Sequence, residues 1–152
     1  SIPDEHNFFC ENSAVNAILS YFSEQARTFG ITYTVSASIP KRISISETDL
    51  SILFGNLLEN AIDACNAQSG EDKKIIVRAK TDDHSLCVTI DNTFSGSLDI
   101  DQEGHFVSSK HEGLGLGTES IKSIAEKYGG VCQFEANNGM FYASVMCFKD
   151  HA

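Results

Sequence analysis

The chain has 152 residues, 41% hydrophobic and 21% charged, enough for one soluble domain with a sizeable core. Its formal net charge of -10 argues against general nucleic-acid binding, which needs basic patches to neutralise phosphates. No apolar run approaches the ~20 residues of a membrane span, and the polar, acidic start "SIPDEHNFFCENS" is not a signal peptide.

The five cysteines (Cys10, Cys65, Cys87, Cys132 and Cys147) show no C-x-x-C spacing, so neither a zinc site nor a disulfide framework is indicated. They read as buried thiols in a reducing cytosol. The histidines show no metal-binding spacing. With no initiator Met, residues 1–152 read as a single domain taken from a longer protein.

In chain order, residues 12–29 place Val15, Ile18, Leu19, Phe22 and Ala26 at helical spacing, with Gly30 as a C-terminal stop. "ITYTVSAS" alternates like a strand, and "IPKRISIS" is a short connector. The longest helix runs from about 47 to 68. Ser46 is its N-cap, Glu47 and Asp49 fill its first turn, and a broad stripe from Leu50 to Cys65 faces the core. "KIIVRAK" and "SLCVTID" are strands joined by the polar turn "TDDH". Residues 93–112 are polar and irregular, a length often reserved for a functional lid. A helix over 118–128 follows, stopped by Gly129 and Gly130. "VCQFEA" and "MFYASVMCF" then form a hairpin around "NNG". The order predicts an α+β two-layer sandwich, a mixed sheet with helices packed on one face.

Three segments invite a chemical reading. In "NLLENAIDA", Asn56, Asn60 and Asp63 fall within about 60° of each other on the helix, beside the apolar stripe. Asn costs about 0.6–0.7 kcal/mol in a helix relative to Ala. A pair at i, i+4 either supplies neutral oxygens to Mg²⁺, which commonly brings nucleotide phosphates, or faces solvent and caps a loop. In "GLGLG", Gly113, Gly115 and Gly117 precede a helix whose free N–H groups attract anions, and Lys110 would add a point charge. This stretch is either a phosphate cradle or a flexible hinge. It is not a P-loop, lacking G-K-[ST], and not a G-x-G-x-x-G turn. At "IDNTF" a strand ends at Asp91, whose carboxylate either accepts from an exocyclic amine or makes an Asx turn. An acidic domain that holds an anion must do so through such local donors.

In order and spacing, "GNLLENAIDAC", "IDNTF" and "GLGLGTESIKSIAEKYGG" resemble the ATP-binding catalytic domain of sensor histidine kinases, within the GHKL superfamily and its Bergerat fold. The likeness is strongest to the quorum-sensing and peptide-sensing kinases. It implies that Asn60 coordinates a Mg²⁺ bridging the ATP phosphates, with Asn56 assisting. Asp91 would meet the adenine amine, with Asn92 sharing or replacing it. Backbone amides of Gly113, Gly115 and Gly117 would cap the phosphates, Leu116 would seat the loop, and residues 95–112 would be the ATP lid. The usual D-x-G-x-G box is here "DNTFS", without either glycine. Many relatives carry a basic residue where Asp63 stands, so Asp63 would meet phosphate only through Mg²⁺.

The resemblance further implies transfer of the γ-phosphoryl group to a histidine on a separate dimerisation domain, with a response regulator downstream. The domain would be cytoplasmic, in a protein anchored in the bacterial membrane. Hydrolytic relatives place Glu where Asn56 stands, which disfavours water activation here. Two alternatives stay open: a nucleotide-binding interaction module without phosphotransfer, and an ATP-hydrolysing enzyme. His6 precedes the first helix and is not expected to be the phosphoacceptor.

Overall fold

The computed structural model describes residues 8–95, 99–100, 106–107 and 112–149, with side chains described for 8–95 and 117–149. Helix α1 (Ser13–Thr28) starts where the Asn12 side chain accepts a hydrogen bond from Val15 N at 3.1 Å. It ends with Gly30 at φ 70°, where Ile31 N reaches Ala26 O at 2.8 Å and Gly30 N reaches Arg27 O at 3.2 Å. That pair of bonds satisfies two terminal carbonyls and turns the chain into β1 (Thr32–Ser38). The connector 39–46 contains no strand; it is pinned by buried Ile39 and Ile45 and by Asn12 N donating to Ile39 O at 3.2 Å.

Helix α2 (Glu47–Ala67) is capped by Ser46, whose side chain accepts from Asp49 N at 3.1 Å. Strands β2 (Lys74–Thr81) and β3 (Ser85–Thr93) meet at a turn in which Asp82 Oδ1 accepts from His84 N and Ser85 N. The short strands β4 (Asp99–Ile100) and β5 (Phe106–Val107) pair antiparallel inside the stretch read as a lid. Helix α3 (Glu112–Lys127) leads to β6 (Val131–Asn137) and β7 (Met140–Phe148). The β6–β7 turn has positive φ at both Asn138 (52°) and Gly139 (77°), the two-residue geometry that matches strand twist.

The main sheet has the order β1-β2-β3-β7-β6. β1 runs parallel to β2 and every other neighbouring pair is antiparallel. The three helices cover one face, and the core lies between the layers, with Leu50, Leu53, Phe54 and Leu58 of α2 facing Ile75, Val77, Val88 and Ile90 of the sheet. This is the expected two-layer sandwich. Among the described residues, no element covers the sheet's other face.

The far end of α2 is tied to α3 by a polar knot. The Asp49 carboxylate accepts from the Tyr128 hydroxyl and pairs with Lys127 Nζ at 2.8 Å, and Tyr128 Oη accepts from Ser46 N at 3.2 Å. The Lys127 ammonium, aided by Tyr128, holds the Asp49 carboxyl below its usual range.

Four local expectations are corrected. β3 runs two residues past Asp91, because Thr93 pairs with Met140 and its hydroxyl accepts from Lys74 N at 3.0 Å. α3 begins at Glu112, so the glycines form its first turns and do not precede it as a loop. Cys87 is only half-buried because it lies on the uncovered sheet face; Cys132, on edge strand β6, is half-buried too.

Candidate nucleotide site

The site grows from one face of α2. Asn60 is 7% exposed, on the side of the helix turned to α3. Among the described residues its carboxamide has no hydrogen-bond partner, yet neither polar atom is sealed from solvent. Buried polar groups normally have partners, so an almost buried carboxamide with an open tip retains unused hydrogen-bonding capacity. One turn earlier, Asn56 Nδ2 donates to Ile52 O at 2.8 Å, which leaves Oδ1 directed outward.

Gly117 closes the arrangement from α3. A Cβ placed there would lie 3.2 Å from Asn60 Oδ1, 3.3 Å from Asn56 Oδ1 and 3.4 Å from Asn60 Nδ2. The two carboxamide oxygens thus converge on a position of α3 that lacks a side chain. Thr118, beside it, is buried. Two neutral oxygens at i, i+4 suit a hard cation such as Mg²⁺, which keeps most of its other sites for water and phosphate. The first four N–H groups of a helix have no partner inside it; in α3 they belong to Glu112, Gly113, Leu114 and Gly115. A ligand anion at this end meets backbone donors and the positive pole of the helix.

The other expected residues separate. Asp63 lines a groove of about 310 Å³ between α1 and α2, with Tyr21, Phe22 and Phe29, away from the α2–α3 contact. Asp91 lies on the uncovered sheet face, where Arg78 Nη1 reaches its Oδ2 at 3.1 Å. Asn92 is its opposite: it shares the helix-side face with Val88 and Ile90, stands between Ile75 and Phe141, and is 2% exposed. Its Nδ2 donates to Thr93 O at 3.0 Å. Near this end of β3, Cys65 of α2 lies 3.6 Å from Thr93 O, and burial pushes its thiol pKa up. Gly113, Gly115 and Leu116 lie in the first turns of α3; Lys110 and most of the stretch read as a lid lie outside the described residues.

The contact of Gly117 with both asparagines was not legible in the sequence, since it joins segments far apart. The orientation of Asn92 was: it continues the alternation of Val88 and Ile90.

A family profile described as the GHKL domain matches residues 45–147, and the chain belongs to that family. The chain is 24% identical over 138 residues to a probable C4-dicarboxylate sensor kinase of Bacillus subtilis (strain 168), covering 85% of this chain and 25% of that protein. It therefore spans about a quarter of the length of the curated relative it matches. Among solved structures, the catalytic domain of histidine kinase ThkA aligns with a TM-score of 0.71 at 22% identity, covering 91% of each chain. The Acinetobacter baumannii histidine kinase AdeS aligns with a TM-score of 0.66 at 12% identity, covering 93% of this chain and 66% of that one. ThkA in complex with the response regulator protein TrrA aligns with a TM-score of 0.68 at 22% identity, covering 93% of this chain and 41% of that one. These likenesses establish the fold of histidine kinase catalytic domains. No helix among the described residues is long and apolar enough to cross a membrane.

Proposed function

We propose that this domain binds Mg·ATP between α2 and α3 and passes the γ-phosphoryl group to a histidine on a dimerisation domain of the same protein, which then serves a response regulator. The observation that carries the reading is the nearly buried, unpartnered carboxamide of Asn60, converging with Asn56 on Gly117. Asn60 and Asn56 would hold Mg²⁺, which supplies charge neutralisation on the phosphates. The amides of Gly113, Gly115 and their neighbours orient the phosphate tail, with Gly117 admitting it close to the asparagines, and Lys110 and Leu116 complete that end.

The adenine amine is assigned to Asn92 in place of Asp91. Asn92 faces the helix layer, and its Oδ1 is the acceptor left when Nδ2 is engaged by Thr93 O. Asp91 faces the other way and is engaged by Arg78. No phosphate contact is assigned to Asp63.

In the transfer, the bond from γ-phosphorus to the β,γ-bridging oxygen breaks and a phosphorus–nitrogen bond to the imidazole forms, leaving ADP. An imidazole nitrogen attacks unprotonated, so the domain needs no general base. Asn56 supplies none, and its amide hydrogens are turned to Ile52 O. This favours transfer to protein over hydrolysis of water.

Calorimetric titration of ATP with and without Mg²⁺ tests the site. Asn60→Ala is expected to abolish the Mg²⁺-dependent part of the affinity, and an unchanged Mg²⁺ dependence would sink the metal role. Asn92→Ala is expected to weaken ATP about tenfold, or about 1.4 kcal/mol, and Asp91→Ala to change it little; the reverse order restores Asp91. Label from γ-labelled ATP appearing on a histidine, when the chain is joined to its upstream helices, tests transfer. Tight binding without label would leave a nucleotide-sensing module.

A further inference from the structure

One peptide at the end of β3 decides which way the Asn92 carboxamide faces. Asn92 is 2% exposed, and its Nδ2 donates to Thr93 O at 3.0 Å. A carbonyl oxygen only accepts, so the amide nitrogen lies on that side and Oδ1 on the other. Oδ1 has no hydrogen-bond partner among the described residues and is not sealed from solvent. Buried polar atoms normally find a partner, so this carboxamide is held at one end and open at the other.

The Thr93 carbonyl is itself held. It shares a planar peptide with Phe94 N, which donates to Gly139 O of the β6–β7 turn at 3.0 Å. The N–H and C=O of a trans peptide point in opposite directions, so the carbonyl is aimed away from that turn. There Cys65 Sγ donates to Thr93 O at 3.6 Å, its thiol kept protonated by burial. Lys74 N directs its hydrogen bond to the Thr93 hydroxyl at 3.0 Å, which leaves Thr93 O to Asn92 and Cys65.

Orientation matters here because the residue is an asparagine. A carboxylate accepts through either oxygen and reads an amine whichever way it turns. A carboxamide carries an acceptor on one side and a donor on the other. Turned over, it would present Nδ2 and favour a base with a carbonyl where adenine has its exocyclic amine. We infer that Thr93 is a positioning residue for base selection: its carbonyl locks Asn92 with Oδ1 toward the ligand, so that the site takes an amino purine and rejects an oxo purine. The inference rests on the assignment of Asn92 to the adenine amine and adds the group that fixes its polarity. The Thr93 hydroxyl takes part by occupying Lys74 N, which would otherwise compete for the same carbonyl.

The test is calorimetric titration of the 152-residue chain with Mg·ATP and with Mg·ITP, inosine triphosphate, which has a carbonyl in place of the exocyclic amine. Wild type is expected to prefer ATP by about tenfold or more. Thr93→Val keeps the side-chain shape without the hydroxyl, and the ATP/ITP ratio should fall about fivefold. Thr93→Ser restores the hydroxyl and should keep the wild-type ratio. Asn92→Ala removes the carboxamide and should bring the ratio to about one. A loss of folded protein lowers both titrations alike, so the ratio reads orientation and not stability. A wild-type ratio in Thr93→Val, an equal loss in Thr93→Ser, or a ratio unmoved by Asn92→Ala would each overturn the inference. Equal binding of ATP and ITP by wild type would overturn it while leaving the nucleotide site in place. Binding of neither nucleotide would remove the underlying reading and this inference with it.

Discussion

Replacing Gly117 with Ala separates a ligand site from a packing contact. Gly117 sits within α3 at ordinary negative φ, so in isolation Gly→Ala should stabilise the helix by about 0.8–1 kcal/mol. The new Cβ, however, lies 3.2 Å and 3.3 Å from the oxygens of Asn60 and Asn56, so both carboxamides must give by a few tenths of an ångström. Side-chain amides can move that far at small cost, and the two effects on stability should leave it within about 1 kcal/mol of wild type. Binding is less tolerant, because Mg²⁺ requires near-ideal octahedral oxygens at about 2.0–2.1 Å. Displacing one carboxamide ligand is expected to cost about 1–2 kcal/mol, a five- to thirtyfold rise in Kd for Mg·ATP. Calorimetric titration and a thermal melt on the same preparation measure both. A clear fall in Tm with unchanged Kd would refute the reasoning and make Gly117 a spacer between α2 and α3.

Asp49→Asn should destabilise the domain by about 1–2 kcal/mol at neutral pH, a modest value because its partner Lys127 is largely exposed. Asp49's carboxyl is depressed in the folded state, so its contribution is present above about pH 4 and is lost as pH falls through the folded value. Urea melts of both proteins at pH 7 and pH 3 should show the gap closing; a gap unchanged at pH 3 would exclude the ion pair as its source. Gly130→Ala is a harsher change, since its Cβ would fall 1.7 Å from the Met146 carbonyl oxygen, a backbone atom that no rotamer change can move. A loss of about 3 kcal/mol or more is expected, seen as a Tm lower by about 6–12 °C; a wild-type melt would show that this contact is not rigid.

Most of the fold was legible because local signals agreed with it. Ser46, Gly30 and the Asn138-Gly139 turn each mark a boundary by their own backbone chemistry. The start of α3 was not, because helix propensity counts Gly113, Gly115 and Gly117 against a helix. At Gly117 the helix closely approaches Asn56 and Asn60 of α2, a tertiary contact absent from any local window. The candidate site divides the same way. Asn56 and Asn60 announce themselves as polar residues beside an apolar stripe. Asp91 was expected at the adenine amine because a strand-end carboxylate can accept and the resemblance implies it, with Asn92 sharing or replacing it; strand parity, which decides their orientations, turns Asp91 outward toward Arg78. Extending β3 by two residues matters less than which side each residue faces.

The parallel pairing of β1 with β2 has a consequence for the order in which the protein becomes competent. Thr32 pairs with Lys74, and the whole of α2 lies between them as the crossover. Such non-local pairing slows folding relative to hairpin formation. During synthesis β1 emerges before its sheet partner β2 and the asparagine helix before β3 and α3, and Gly117 emerges later still. A ribosome-bound chain halted at β3 would therefore hold the asparagines without the helix that completes their pocket. On the proposed reading, nucleotide binding would begin only once α3 has left the ribosome, when nearly all of the domain has been made.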